Sequence, residues 1–173
     1  MPTTPTEVRF WDEIVLELPS RPMHLTLASD GGSLTGVRFG PATDHAAWLG
    51  PAQRRPDDPV IAAAARQLRD YAAGWAETFD VPLNVAAGSD FQQAVWELLR
   101  DIPYGETTTY GAIAAALSRP GQARAVGAAV GANPVGIIIP CHRVIGADGS
   151  LTGFGGGLDN KAALLAREGV TAL

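Results

Sequence analysis

The stretch "PYGETTTYGAIAAALSRPGQARAVGAAVGAN", residues 103 to 133, decides how the second half of this chain folds. Gly105 marks a turn, and Thr108 or Thr109 can cap a short Ala-rich helix that ends near Ser118. Arg119, Pro120 and Gly121 then break the chain, because proline lacks a helical amide and glycine admits the turn. A second helix starts in "QARAVGAAVGAN". Two short helices across a Pro-Gly turn have helix-turn-helix spacing, although many ordinary core helix pairs share it. The second helix carries mostly Ala and Gly, so a partner could approach its backbone closely.

Upstream, Ser89 with Gln92 forms a capping box, and Phe91, Val95, Leu98 and Leu99 make an apolar stripe on the helix that follows. The first half has another rhythm. Residues 23 to 29 and 34 to 39 alternate as strands, and "DGG" between them supplies hairpin turn residues. Residues 8 to 18 suit a further strand. The four prolines in 40 to 59 suggest an irregular connection, and 60 to 74 reads as a helix closed by Gly74. The reading is α+β, with an N-terminal α/β domain over 1 to 85 and a C-terminal helix-turn-helix domain over 86 to 173.

With 46% apolar and 18% charged residues, the 173-residue chain can bury a real core and is not of disordered composition. The start "MPTTPTEVRFWDE" lacks the basic and apolar segments of a secretion signal, and no apolar run has membrane-spanning length. One cysteine forms no internal disulfide and no multi-cysteine zinc site, which points to a reducing, cytoplasmic setting. The net charge of −5 argues weakly against a nucleic-acid partner. Yet residues 107 to 147 contain no Asp or Glu, while Arg119, Arg124 and Arg143 are present. That window is either a cationic surface for phosphates or a largely buried segment.

The chemistry concentrates in "NPVGIIIPCHRVIGADGSLTGFGGG", residues 133 to 157. A thiol of ordinary pKa is only about 3% ionised at pH 7, so a nucleophilic Cys141 needs help. His142 can accept its proton, and a carboxylate such as Glu168 can orient the imidazole. A lone cysteine is more often inert packing, and its neighbours must decide.

"IPCHRV" followed by "GSLTGFGGG", and preceded by "YG" and "ARAVG…NP", resembles the O6-alkylguanine-DNA alkyltransferases, or methylated-DNA–protein-cysteine methyltransferases. The match runs in order over roughly residues 90 to 170. The resemblance implies an RNase H-like N-terminal domain packed on a winged helix-turn-helix domain. It implies direct-reversal DNA repair, in which Cys141 irreversibly takes an alkyl group from O6-alkylguanine, and less readily from O4-alkylthymine. It further implies a Cys141–water–His142–Glu168 relay, Asn133 bracing the turn, and Tyr110 aiding base rotation and proton donation. Arg124 would fill the gap left by the flipped base, with Ala125 and Gly127 on the DNA-facing helix. Val144, Phe154, Gly155 and Gly156 would hold the base. The implied partner is double-stranded DNA, entered from the minor groove by a monomer that could bind cooperatively, with no cofactor and no membrane.

Some positions depart from the family. Phe154 stands where many members have Tyr, and Gly155 where some have Ser, so backbone amides must serve there. The N-terminal cysteines that bind a structural zinc in several relatives are absent. The alternative is a helix-turn-helix damage-binding protein without transfer chemistry, against which the presence of Cys141 counts. A cysteine hydrolase fits poorly, since no oxyanion-type motif accompanies "CHR".

Overall fold

The computed structural model describes residues 7–171. Residues 1 to 6, read above as part of a start without a secretion signal, lie outside them. The fold is mixed α+β, and the chain divides into two compact units. One comprises the chain up to Ala87 together with Pro134–Gly136; the other comprises Gly88–Asn133 and Ile137 onward. No helix among the described residues is long and apolar enough to cross a membrane.

The first unit is a four-stranded sheet with one long helix. Strands β1 (Phe10–Glu17), β2 (Pro22–Ser29) and β3 (Leu34–Phe39) form an antiparallel meander, with β2 between the other two. In β1 the alternation of residues puts Ile14 and Leu16 inside and Glu13, Val15 and Glu17 outside, as a two-residue period requires. The β2–β3 turn is fixed by Asp30, whose carboxylate accepts from the amides of Gly32 and Ser33. The segment 40 to 59 is more ordered than its prolines suggest. It holds a one-turn helix α1 (Ala46–Leu49) and a two-residue strand β4 (Gln53–Arg54) that pairs parallel with β1. The Arg54 Nε donates to Asp12 at 2.9 Å, a long-range contact with no local sequence signal.

Helix α2 (Pro59–Ala73) starts at Asp58, whose side chain accepts from the Ile61 amide, and stops at Gly74 in the left-handed conformation. Its buried face of Ile61, Ala64, Ala65, Leu68, Tyr71 and Ala72 follows helical spacing and packs on β1 and β2.

The second unit is built from α3 (Asp90–Arg100), α4 (Tyr110–Ala116), α5 (Ala123–Gly131) and α6 (Leu158–Arg167). The Ser89–Gln92 capping box is formed. On α3 the buried residues are Val95, Trp96 and Leu99, while Phe91 and Leu98 are only half-buried. Trp96 enters the core because its indole N–H donates to the Ala129 carbonyl at 2.8 Å. Its ring also lies where a Gly88 Cβ would be, 2.3 Å from Cζ3, so no side chain fits at that position. Thr109, rather than Thr108, caps α4 through the Ala112 amide. Helices α4 and α5 pack on each other. A short parallel ladder of β5 (Thr108–Thr109) and β6 (Val144–Ile145) ties the start of this helix pair to the strand after Cys141.

Candidate active site

The segment leading to Cys141 is held in an unusual path. Asn133 follows α5 and donates from Nδ2 to the Ile139 carbonyl at 2.8 Å. Between them Ile137 adopts φ 70°, a left-handed conformation disfavoured for a β-branched residue, and it is buried there. The chain then makes a single 3-10 turn, Cys141–Arg143, and enters β6. Cys141 is 7% exposed. Burial pushes its thiol pKa up; a hydrogen bond from Asn133, the charge of Lys161, and the amides of Cys141 and His142 oppose the rise.

One residue later the turn buries a charge network. His142 Nε2 lies 3.0 Å from Glu168 Oε2, both side chains being fully buried. Arg143 donates from Nε to both Glu168 oxygens at 2.9 and 3.2 Å, makes a further short contact from Nη2, and gives Nη1 to the Ile102 carbonyl at 2.6 Å. Burial pushes the Glu168 carboxyl up, but hydrogen bonds from His142 and Arg143 and their charges outweigh it, and the net direction is down. Burial also pushes His142 below its ordinary value, against the pull of Glu168. An ionised carboxylate only accepts, so His142 donates from Nε2 and keeps its lone pair on Nδ1. That Nδ1 is buried with no hydrogen-bond partner among the described residues. The ring is therefore oriented, neutral and free to accept a proton at one defined atom.

Glu168 lies at the C-terminal end of α6, and Arg143 pairs with it there in the interior. Of the two readings open for residues 107 to 147, Arg143 follows the buried one. Arg143 is buried and spent on Glu168, leaving Arg119 and Arg124 as the exposed cations of that window. Arg119 lies 5.3 Å from the Phe91 ring centre.

A cleft of about 360 Å³ is lined by Tyr110, Ala123, Arg124, Gly127, Thr152 and Gly153. The structure thus brings Tyr110, Arg124 and Gly127 together at one opening, with the loop after β6 as its other wall. Ala125 is exposed on the same helix. A Cβ on Gly127 would meet Tyr110 only at 3.7 Å, an ordinary contact, and one on Gly131 would meet nothing. Internal packing therefore does not require glycine at these two places. In the loop, Phe154 is half-buried, Gly155 is exposed, and Gly156 accepts from Asn160 Nδ2 at 2.8 Å. Neither Cys141 nor Val144, Phe154, Gly155 or Gly156 is in the cleft lining; Thr152 and Gly153 are, and sequence reasoning overlooked both. It also overlooked Lys161, which is fully buried. The signal was there: residues 161, 164, 165 and 168 share one face of α6, so a lysine sits on an apolar stripe.

The chain is similar to known proteins over most of its length. Residues 90–170 match the family model for the 6-O-methylguanine DNA methyltransferase DNA binding domain. The methylated-DNA–protein-cysteine methyltransferase of Mycobacterium bovis is 50% identical over 149 residues, covering 83% of this chain and 85% of that protein. That of Haemophilus influenzae is 44% identical, covering 87% and 83%. The crystal structure of Mycobacterium tuberculosis OGT in complex with DNA superposes with a TM-score of 0.78 at 46% identity over 92% of each chain. The O6-methylguanine-DNA methyltransferase from Pyrococcus kodakaraensis gives 0.72 at 25% identity, covering 92% and 99%. Identity at this level over most of both chains, around a lone thiol beside a carboxylate-oriented histidine, makes this chain a member of the methylated-DNA–protein-cysteine methyltransferase family.

Proposed function

We propose that this protein repairs DNA by transferring an alkyl group from the O6 of guanine to Cys141, once per molecule. The observation that carries the reading is the buried His142–Glu168 pair beside the chain's only thiol, with His142 Nδ1 left open. In the reaction the thiol proton passes to His142 Nδ1, directly or through water. A carbon–sulfur bond then forms at Cys141 as the carbon–O6 bond breaks. The released electron pair returns to the purine, which takes up a proton; Tyr110 is the donor we assign. The products are S-alkylcysteine and guanine. No second thiol is present to remove the alkyl group, which makes the protein a single-turnover reagent.

An O6-alkyl group inside a duplex is out of reach of a side chain, so the base must rotate out at a cost of a few kcal/mol. We assign Arg124 to the vacated space, and Ala125 and Gly127 to a flat helix face against the minor groove. The exposure of Ala125, and the space beside Gly127 and Gly131 that internal packing leaves, support this. Val144, Phe154, Gly155 and Gly156 are assigned to the flipped base, and Asn133 to bracing the turn. The N-terminal unit would be RNase H-like and the second a winged helix-turn-helix domain. The protein would act as a cytoplasmic monomer on double-stranded DNA, with O4-alkylthymine as a poorer substrate.

The test is intact-mass analysis and label transfer with an O6-methylguanine duplex. The wild type should gain one methyl on Cys141 and then stop. Cys141→Ser should transfer nothing while keeping duplex affinity. Repeated turnover by the wild type, or a methyl group mapped elsewhere, would refute the reading. A wild type that binds damaged duplex without transfer would instead be a damage-binding protein.

A further inference from the structure

Lys161 is the chain's only lysine, and its side chain is completely buried. An ammonium loses strong hydration on burial, and an interior retains one only where hydrogen bonds and opposite charge replace the water. Two of its three donors have partners: Nζ gives to the Val144 carbonyl at 2.6 Å and to the Thr152 carbonyl at 3.0 Å. The ring centre of Phe154 is 5.9 Å away. Among the described residues no carboxylate forms an ion pair with it.

The two carbonyls belong to different parts of the site. Val144 opens β6, three residues after Cys141, whereas Thr152 lines the cleft with Tyr110 and Arg124. One ammonium therefore joins the strand leaving the cysteine to the cleft wall. A methionine would fill the same volume but could tie neither carbonyl.

The charge has a use as well. Burial drives the Cys141 thiol up and the Lys161 ammonium down, and each group's charge resists the shift of the other. His142 is held neutral by burial against Glu168, with help from the charges of Arg143 and Lys161. The groups that favour an anionic sulfur are the Asn133 side chain, the charge of Lys161 and the amides of Cys141 and His142; those that act on the His142 ring are Glu168, Arg143 and Lys161. The negative charge of Glu168 is engaged by Arg143, which leaves Lys161 as the cation coupled to the sulfur.

We propose that Lys161 is a positioning residue of the transfer site: it clamps the Cys141 turn to the cleft wall at Thr152 and supplies the fixed positive charge that the anionic sulfur needs. This rests on Cys141 being the alkyl acceptor. Lys161 touches neither alkyl group nor base, and acts through Cys141 and His142.

The first test compares wild type, Lys161→Met and Lys161→Arg in single-turnover methyl transfer across a pH series, beside ultraviolet titration of the thiolate with Cys141→Ser as blank. Lys161→Met should move the thiolate midpoint to higher pH and slow transfer at pH 7 about tenfold or more. The deficit should narrow as the pH rises, while duplex affinity stays within about twofold. Lys161→Arg should recover most of the rate. The second test needs no Lys161 variant. With one lysine in the chain, 13C-lysine labelling of the full protein gives a single Cε resonance. That resonance should step with the thiolate titration of Cys141, and the step should vanish in Cys141→Ser. A Lys161→Met protein with a wild-type thiolate midpoint and pH profile, or a lysine resonance indifferent to Cys141, would overturn the proposal. Failure of the wild type to transfer at all would sink the repair reading instead, and the lysine resonance would still report on the pairing.

Discussion

The two units bury polar groups for different ends. In the first, Ser29 Oγ donates to Asp58 at 2.8 Å, and the same carboxylate caps α2; Thr26 donates to the Gly40 carbonyl. Each of these contacts ends or joins an element of the fold. In the second unit His142, Arg143, Lys161 and Glu168 are all buried, and Lys161 and Glu168 both contact the segment that follows the thiol. Four ionisable side chains of both signs are an expensive way to close a core, since an apolar set of equal volume is often as stable or more so. The polar interior of the first unit joins elements of the fold, and that of the second is the one to which the proposed transfer assigns chemistry.

Removing one member of the second network should have the largest effect. Glu168→Gln leaves Arg143 buried without its anion and His142 without its orienting carboxylate. Loss of one partner from such a pair typically costs about 3–5 kcal/mol. Urea unfolding should show that loss, and transfer by the remaining folded protein should fall as well. A variant of wild-type stability would break the contrast, because Glu168 would then be no more than a replaceable terminal acid.

The counterpart in the first unit is Asp58→Ala. The cap of α2 and the partner of Ser29 are both lost, at about 1–2 kcal/mol. Transfer per folded molecule should not change, as measured by single-turnover kinetics well below the melting temperature. A selective fall in transfer would mean that the first unit also serves chemistry, and the contrast would fail there.

How much of this was legible depends on how local each signal is. The alternation of β1 to β3, the Asp30 turn, the Gly74 stop and the Ser89 capping box lie within a few residues, and the chain carries them openly. Strand β4 has two residues, too few for a period, and is held by Arg54 reaching Asp12 across 42 positions. Trp96 is not among the residues of the stripe read on α3, and its anchor, the Ala129 carbonyl, is 33 residues on. In the site the adjacency of Cys141 and His142 needs no fold to see, and Glu168 could be named as a candidate carboxylate, but nothing local shows the 26-residue return that brings it to the imidazole. The place of Arg143 stayed open for a general reason: charge in a sequence does not reveal whether its counter-ion is solvent or a distant carboxylate. Lys161 is legible from its α6 spacing alone, since a lysine at 161 shares a face with Leu164 and Leu165, but its partners are carbonyls at Val144 and Thr152 that carry no sequence signal.

The smallest effect concerns acid stability, and it sharpens the contrast by assigning a pH window to each buried group. His142 titrates below its ordinary value of 6.5 when folded, because burial disfavours the imidazolium. The unfolded chain therefore binds a proton there that the folded one refuses, and stability falls as pH drops below about 6.5. Glu168, also lowered, adds a second loss as pH falls below its ordinary 4.5. Each group contributes at most about 1.4 kcal/mol per pH unit. In urea unfolding across a pH series, His142→Asn should be less stable outright yet show a flatter slope between about pH 6.5 and 5. Asp58→Ala should shift the whole curve down with the wild-type slope kept in that range. If His142→Asn retains the full slope, the proton taken up on unfolding belongs elsewhere, and His142 would not be the neutral, proton-accepting imidazole that the transfer chemistry requires.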